Sequence, residues 1–295
     1  MYSIKHIKMP RTIEEAIGFL QNEPETEIIS GGTDVLIKIR EGKMDNCSLV
    51  SISQIQELKG IEIDHEENII IKSATVFSHI TNNDIIIKNL NVLGEAADQV
   101  GGPQIRNMGT IGGNVCNGVT SADTASTLCA LNAIMLLKGP DGNREVSINE
   151  WYTGPGKTVR KHDEILTAIK ITKDNYEGYK GFYIKYGKRN AMEIATLGCS
   201  IVLKLSEDKM LLEDIRIAYG VASPTPMRCY STENMLKNKP VSKELFNIIN
   251  DNILNEVNPR SSWRASKEFR QQIAKEMAKR ALTEAIKRAG GDISA

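Results

Sequence analysis

Two glycine clusters constrain this chain more than any other feature. Ser30-Gly31-Gly32-Thr33-Asp34 and Gly109-Thr110-Ile111-Gly112-Gly113-Asn114 each set adjacent glycines among β-branched residues and small hydroxyls. Adjacent glycines let backbone N–H groups converge on an anion without obstruction by Cβ, and a following helical turn adds the positive end of its dipole. A hydrogen bond to a charged group contributes about 1.5 to 3 kcal/mol net, so one cluster holds a phosphate loosely, whereas two converging on a pyrophosphate can retain a dinucleotide. Each cluster alone is equally compatible with a tight turn or bulge; the duplication is what points to a cofactor. Neither is the G-x-G-x-x-G of the doubly wound dinucleotide fold, because Gly109-x-x-Gly112-Gly113 has the wrong spacing and opens no clear βαβ unit.

Other chemistries lack their residues. Gly156-Lys157-Thr158 imitates the end of a nucleoside triphosphate loop, but the leading glycine would fall on Trp151. There is no G-x-S-x-G nucleophile elbow and no H-E-x-x-H zinc helix. The five cysteines (47, 116, 129, 199, 229) and four histidines (6, 65, 79, 162) are scattered, which argues against a disulfide framework, a zinc site or a self-contained iron-sulfur site. Lys and Arg number 37 against 37 Asp and Glu, leaving no field to recruit nucleic acid. No apolar run reaches the roughly 18 residues of a membrane span, and residues 1–10 have no signal core, so a cytoplasmic protein is expected.

At 295 residues the chain exceeds what one core usually supports, and periodicity divides it near 57 and 174. In the first part Thr12 and Glu15 form a capping box before the stripe Ile13, Ala16, Ile17 and Leu20, predicting a helix. A strand at 27–30 runs into the first glycine pair, Val35, Leu36 and Ile39 follow at helical spacing, and another strand is expected at 48–53. Ile61 and Ile63, then Ile69 and Ile71, alternate on either side of a polar turn and read as a hairpin. Helical stretches around 75–88 and 92–100 precede a glycine-rich loop over 101–118 and a helix over 123–131 with Asp123 as its N-cap. Strands at 133–138 and 164–171, with a Gly-Pro-Asp-Gly turn at 139–142, complete the second part. Beyond Asp174, strands at 180–186, 194–205 and 211–219 followed by two helices predict a separate α+β domain. The last helix, 266–289, is expected to turn Phe269, Ile273, Met277, Ala281 and Ala285 inward.

The run from Arg106-Asn107 through Met108, Gly109, Thr110, Ile111, Gly112, Gly113, Asn114, Val115 and Cys116 to Asn117, followed by Ser121-Ala122-Asp123-Thr124, closely resembles the flavin-binding signature of the molybdenum hydroxylase flavoprotein subunits. This is the family of xanthine dehydrogenase and carbon monoxide dehydrogenase medium subunits. Ile29, Ser30, Gly31, Gly32, Thr33, Asp34, Val35 and Leu36 together look like the family's first flavin-phosphate loop. Tyr183-Ile184-Lys185 through Arg189 to Ala195 resembles the segment after its flavin domain. Tyr219-Gly220-Val221-Ala222 with Pro226-Met227-Arg228 is similar to its C-terminal domain, so the resemblance covers nearly the whole chain.

The resemblance implies an α+β fold: an FAD-binding domain over 1–174 in two subdomains (about 1–57 and 58–174) with FAD between them, then a C-terminal domain over 175–295 with an antiparallel sheet and helices. Carried over residue by residue, Ile29 to Leu36 together with Thr110, Ile111, Gly112, Gly113 and Asn114 wrap the pyrophosphate and its neighbours. Asp123 contacts the cofactor and Gly101 passes close to it. Arg160 and Lys185 are the charged candidates near the flavin, where a cation beside the N1 and O2 edge stabilises the anionic reduced ring; on its residues alone, Lys185 reads as a solvated strand lysine. Ile169, at a strand end, touches the ring. Some family members set a tyrosine against the flavin where this chain has Ile194, leaving open what covers that face.

The resemblance also implies an electron-transfer subunit of an oxidoreductase. A molybdenum-binding large subunit hydroxylates an N-heterocycle of purine or nicotinate type or an aldehyde, a small [2Fe–2S] subunit relays electrons, and FAD in this chain passes them to NAD(P) or another acceptor, in a dimer of heteromers. The scattered cysteines fit that division, since they cannot supply the usual Cys₄ set. No side chain is assigned to acid–base catalysis. Two alternatives stay open: a stand-alone flavin oxidoreductase, against which the sparse histidines speak, and a non-redox nucleotide-binding regulatory protein.

Overall fold

The computed structural model describes residues 3–293. The chain opens with β1 (Ile4–Lys8), α1 (Ile13–Asn22), β2 (Thr26–Ile29), α2 (Val35–Arg40) and β3 (Cys47–Ser51), whose strands form a parallel sheet in the order β1-β3-β2. Thr12 caps α1 as expected, but the reciprocal bond of the capping box falls one residue early, on Arg11 N instead of Thr12 N. Thr12 Oγ1 accepts from Glu15 N at 3.2 Å and Glu15 Oε2 accepts from Arg11 N at 2.8 Å. The predicted stripe on α1 is buried and packs with Val50, Ile52, Ile55 and Leu58. Each such aliphatic side chain contributes roughly 1.5 to 3 kcal/mol. Ala74 and Ile165 belong to the same cluster, so this core is shared with the segment that follows.

That segment comprises β4 (Ile61–Ile63), β5 (Ile69–Lys72), α3 (Phe77–Thr81), α4 (Asp84–Asn89), α5 (Asn91–Asp98), α6 (Pro103–Arg106), α7 (Ile111–Cys116), α8 (Asp123–Ala130), β6 (Ile134–Gly139), β7 (Gly142–Ser147), α9 (Ile148–Trp151), a short pair β8 (Tyr152–Gly154) and β9 (Lys157–Thr158), and β10 (Ile165–Ile171). Its antiparallel sheet runs β4-β5-β10-β6-β7. The isoleucine hairpin has the register that alternation demands, Ile61 opposite Ile71 and Ile63 opposite Ile69. Three expectations need correction. The edge strand β7 follows the 139–142 turn, its polar sequence masking its pairing with β6. The expected helix over 75–88 is two helices, because the Asn83 side chain accepts from Ile85 N and Ile86 N and starts α4 afresh. The 101–118 loop contains α6 and α7, so Gly112 and Gly113 sit inside a helix although glycine costs it about 1 kcal/mol each relative to alanine.

The remainder is α10 (Lys173–Tyr176), β11 (Lys180–Tyr186), β12 (Leu197–Leu205), β13 (Leu211–Gly220), β14 (Met227–Arg228), α11 (Tyr230–Leu236), β15 (Lys239–Pro240), α12 (Glu244–Glu256) and α13 (Lys267–Arg288), with β11-β12-β13-β14 antiparallel and β15 added to β13. Three helices follow the strands, not two. The inward face of α13 is Arg270, Ala274, Met277, Ala278, Ala281, Leu282, Ala285 and Ile286. Phe269 is 43% exposed and Ile273 only partly buried. Small alanines let this helix lie close to the sheet with Met277, Ala281 and Ala285 inward as expected, while at its N-terminal end the buried Arg270 satisfies its guanidinium on Thr196 O, Arg260 O and Ser262 Oγ and displaces Phe269 outward. Among the described residues no helix is long and apolar enough to cross a membrane.

Candidate cofactor site

A cavity of about 630 Å³ lies between the parallel sheet unit and the five-stranded sheet unit, and Met192, Glu193 and Ile194 from the C-terminal part reach its wall. The first glycine turn forms one side. β2 delivers the chain to Ser30, and Gly32 at φ +74° makes the turn into α2. The backbone N–H groups of Gly31, Gly32, Thr33, Asp34 and Val35 donate to no acceptor among the described residues. These are the donors an anionic group requires. Gly31 has a further constraint, since a Cβ there would overlap the Met108 carbonyl.

The second cluster works differently from its expected role. Its N–H groups are spent on the protein: Ile111 on Thr75 O (3.1 Å), Gly112 on Ser73 O (2.8 Å), Gly113 on Thr110 Oγ1 (3.2 Å) and Asn114 on Thr110 O (3.0 Å). Gly112 is glycine because a Cβ would fall 2.6 Å from Ser73 O, whereas one on Gly113 would meet only Thr110 Oγ1 at 3.0 Å. Two hydrogen bonds tie the cavity walls together. Thr110 Oγ1 donates to Ser30 Oγ at 3.2 Å and Lys38 Nζ to Asn117 Oδ1 at 2.9 Å.

Ala122, not Asp123, is the N-cap of α8. Asp123 occupies the first helical position and turns its carboxylate to the β11 side chains: Tyr183 OH donates to Oδ1 at 2.9 Å and Lys185 Nζ to Oδ2 at 2.9 Å. Lys185 also donates to Gln99 O at 2.9 Å, and its side chain is 9% exposed, so it is no solvated strand lysine. Burial pushes the Asp123 carboxyl above the usual carboxylate range against the opposing pull of Lys185 and Tyr183. Asp123 lines the cavity and Lys185 stands behind it.

Of the other candidates, Ser30 to Val35, Gly101 (φ +52°), Thr110, Gly112, Gly113, Asn114 and Arg160 line the cavity. Ile29, Leu36 and Ile111 lie behind the wall. Ile169 is in the middle of β10 rather than at its end and is fully buried in the core; Ile165 and Leu166, earlier on the strand, reach the cavity instead. Arg160 donates from Nη1 to Lys161 O (2.9 Å), His162 O (3.1 Å) and Glu164 O (2.8 Å), which fixes its guanidinium at the wall.

Glu164 holds that turn from inside. Burial pushes its carboxyl up, but the Arg144 fork (2.6 and 2.7 Å) and Lys161 N (2.7 Å) prevail and leave it below the usual range. A lowered folded-state value contributes stability above the unfolded value and loses it as pH falls through the folded one. In Arg144→Gln the burial effect meets less opposition and the folded value rises toward the unfolded one, so the melting temperature is expected to lie below wild type at neutral pH and the gap to narrow as pH falls through the carboxylate range. Superimposable profiles would show that the clamp does not contribute.

Sequence reasoning missed Ser73, Lys38, Phe77 and Met192, all on the cavity wall. Ser73 follows an isoleucine strand and carries no motif, yet its hydroxyl is buried without a partner among the described residues. A buried hydroxyl left unpaired costs about 1 to 3 kcal/mol, which an acceptor bound in the cavity would recover. Burial raises the Cys116 thiol to about 11, so this cavity residue is neither thiolate nor nucleophile near neutral pH.

Five N–H donors at one wall and the Ser73 hydroxyl beneath Gly112, all unpaired among the described residues, with apolar Phe77, Ile165 and Leu166 elsewhere, define the site of a phosphate-bearing organic cofactor. Residues 3–173 match the FAD binding domain in molybdopterin dehydrogenase and residues 182–285 the CO dehydrogenase flavoprotein C-terminal domain. The chain belongs to this family of molybdenum-dehydrogenase flavoprotein subunits; it is an oxidoreductase subunit whose cofactor is FAD. It is 38% identical to the xanthine dehydrogenase FAD-binding subunit of Escherichia coli O157:H7 over 99% of this chain and 100% of that one. It is 29% identical to the nicotinate dehydrogenase FAD-subunit of Eubacterium barkeri, covering 91% and 93%. The carbon monoxide dehydrogenase structure from Hydrogenophaga pseudoflava superimposes with a TM-score of 0.91 at 27% identity, over 98% of this chain and 99% of that one.

Proposed function

We propose that this subunit takes electrons from a [2Fe–2S] partner chain and passes them to NAD(P) or another acceptor, while a molybdenum-containing large chain hydroxylates an N-heterocycle of purine or nicotinate type or an aldehyde, in a dimer of heteromers. The observation that carries this reading is the cavity itself: it offers donors and an apolar wall for a redox cofactor but assembles no nucleophile and base for a substrate. The 38% identity to a xanthine dehydrogenase FAD-binding subunit, against 28% to a glyceraldehyde dehydrogenase medium chain, favours an N-heterocycle over an aldehyde.

In this reading the N–H groups of Gly31 to Val35, with the Ser30 and Thr33 hydroxyls, bind the diphosphate. Thr110 and Asn117, tied to Ser30 and Lys38, hold the opposite wall at a fixed distance. Ser73 Oγ donates to a cofactor acceptor. Asp123 touches the cofactor, and Lys185 is a positioning residue that orients Asp123 and adds positive charge behind it, favouring negative charge on a reduced ring. Bound FAD supplies exchange of electrons singly or as hydride. Met192 and Ile194 flank the cavity where the family tyrosine stands in some members.

Affinity purification of the tagged chain from its native host tests the assignment. It is expected to bring down a large molybdenum-containing chain and a small cysteine-rich one that together reduce an acceptor with xanthine or nicotinate. A flavin-bearing monomer that oxidises an organic substrate by itself would refute it.

A further inference from the structure

An exposed aromatic and cationic surface adjoins the cavity mouth. Trp263 is 78% exposed, yet it is held in place, with the Arg264 guanidinium 4.4 Å and Lys188 Nζ 5.6 Å from its ring centroid. The loop that carries it is pinned from below by buried Arg270, which donates to Arg260 O and Ser262 Oγ on the loop and to Thr196 O outside it. Ser262 Oγ in turn accepts from Arg264 N, and Ser261 Oγ from Lys267 N. Tyr186 and Phe269 form an edge-on pair at 5.7 Å beside it, and both are exposed. Lys188 belongs to the same loop as Met192 and Ile194, 64% and 52% exposed, which line the cavity, so the patch continues into its mouth.

Folding alone gives no reason to pin a loop with a buried arginine so that a tryptophan faces water. Lys188, Arg189, Arg260 and Arg264 outnumber Glu193 on these two loops, in a chain whose net charge is zero. We propose that this surface docks a small acidic one-electron carrier protein that is reduced at the flavin, an inference that rests on the functional reading above and names its acceptor. A projecting tryptophan fits a pocket in another protein, whereas small-molecule sites are concave. Trp, Tyr and Arg are the residues that dominate binding hot spots. The cationic excess suits a brief, electrostatically steered encounter, since charged residues are depleted from the cores of permanent interfaces. Two carriers each take one electron from the anionic reduced cofactor, leaving FAD and releasing one proton to solvent.

The test mixes photoreduced, FAD-loaded full-length chain with an oxidised acidic [2Fe–2S] ferredoxin in a stopped-flow instrument. The second-order rate constant is expected to fall about tenfold or more between roughly 20 and 300 mM ionic strength. It is expected to fall similarly in Trp263→Ala and in Lys188→Glu/Arg264→Glu, while FAD content and the rate with a small neutral quinone stay at wild-type values. A ferredoxin rate insensitive to salt and to both variants, or no reduction of ferredoxin at all, would overturn the proposal. A chain that binds no FAD would instead refute the functional reading beneath it.

Discussion

Gly31→Ala is expected to lower FAD occupancy at least tenfold. The new Cβ would overlap the Met108 carbonyl oxygen and lie 2.6 Å from its carbonyl carbon, both backbone atoms that no rotamer change can move aside. The first glycine turn and the 108–110 segment then cannot both keep their places. Separating them breaks the Ser30 to Thr110 hydrogen bond and moves the five free N–H groups away from the facing wall. Losing even one or two charge-assisted hydrogen bonds, at about 1.5 to 3 kcal/mol each, weakens binding by a factor of ten or more. Gly113→Ala is the control, because its Cβ meets only Thr110 Oγ1 at 3.0 Å and it should retain most of the flavin. Gly112→Ala is less informative, since collision with the Ser73 backbone would perturb folding and binding together. Flavin-to-protein absorbance ratios of the purified variants decide the matter, and equal occupancy in Gly31→Ala and wild type would contradict the cradle.

The second large effect lies away from the cavity. Arg228 and Glu233 have side chains only 7% and 2% exposed and form a forked pair, while Glu233 Oε1 also accepts from Ile217 N at 2.8 Å. Arg228→Met leaves the buried carboxylate without its cation, a loss of about 3 to 5 kcal/mol. The melting temperature should drop by about 10 °C. Arg228→Met/Glu233→Leu is expected to recover only part of that, because Ile217 N then has no acceptor. A single variant melting within 2 °C of wild type would show that water or a neighbour replaces the arginine.

These effects also mark where the sequence was legible. The α1 stripe and the isoleucine hairpin could be read because each buries one face at its own period, and the first turn because its adjacent glycines stand between a strand and a helical stripe. Along α13 Met277, Ala281 and Ala285 face inward as expected, and only the N-terminal end departs, because hydrophobicity ranks Phe269 above Arg270 whereas the buried arginine finds three oxygen acceptors that no local pattern announces. Asp123 reads from sequence as the N-cap of α8, but it is the first helical residue and its carboxylate serves other partners. Its partners Tyr183 and Lys185 lie 60 and 62 positions away and meet it only when the C-terminal sheet packs on α8 through β12 and β13. Ser73 was invisible for the same reason, its significance coming from Gly112 above it and the cavity beside it. The second glycine cluster lines the cavity, but Gly112 is glycine so that its backbone can meet that of Ser73.

The most direct measurement is an absorption spectrum of the purified chain with chromatography of the cofactor it releases. Flavin bands, FAD as the released species and no iron-sulfur absorption are the expected result. A colourless protein that added FAD cannot reconstitute would contradict the account and return both glycine clusters to ordinary turns.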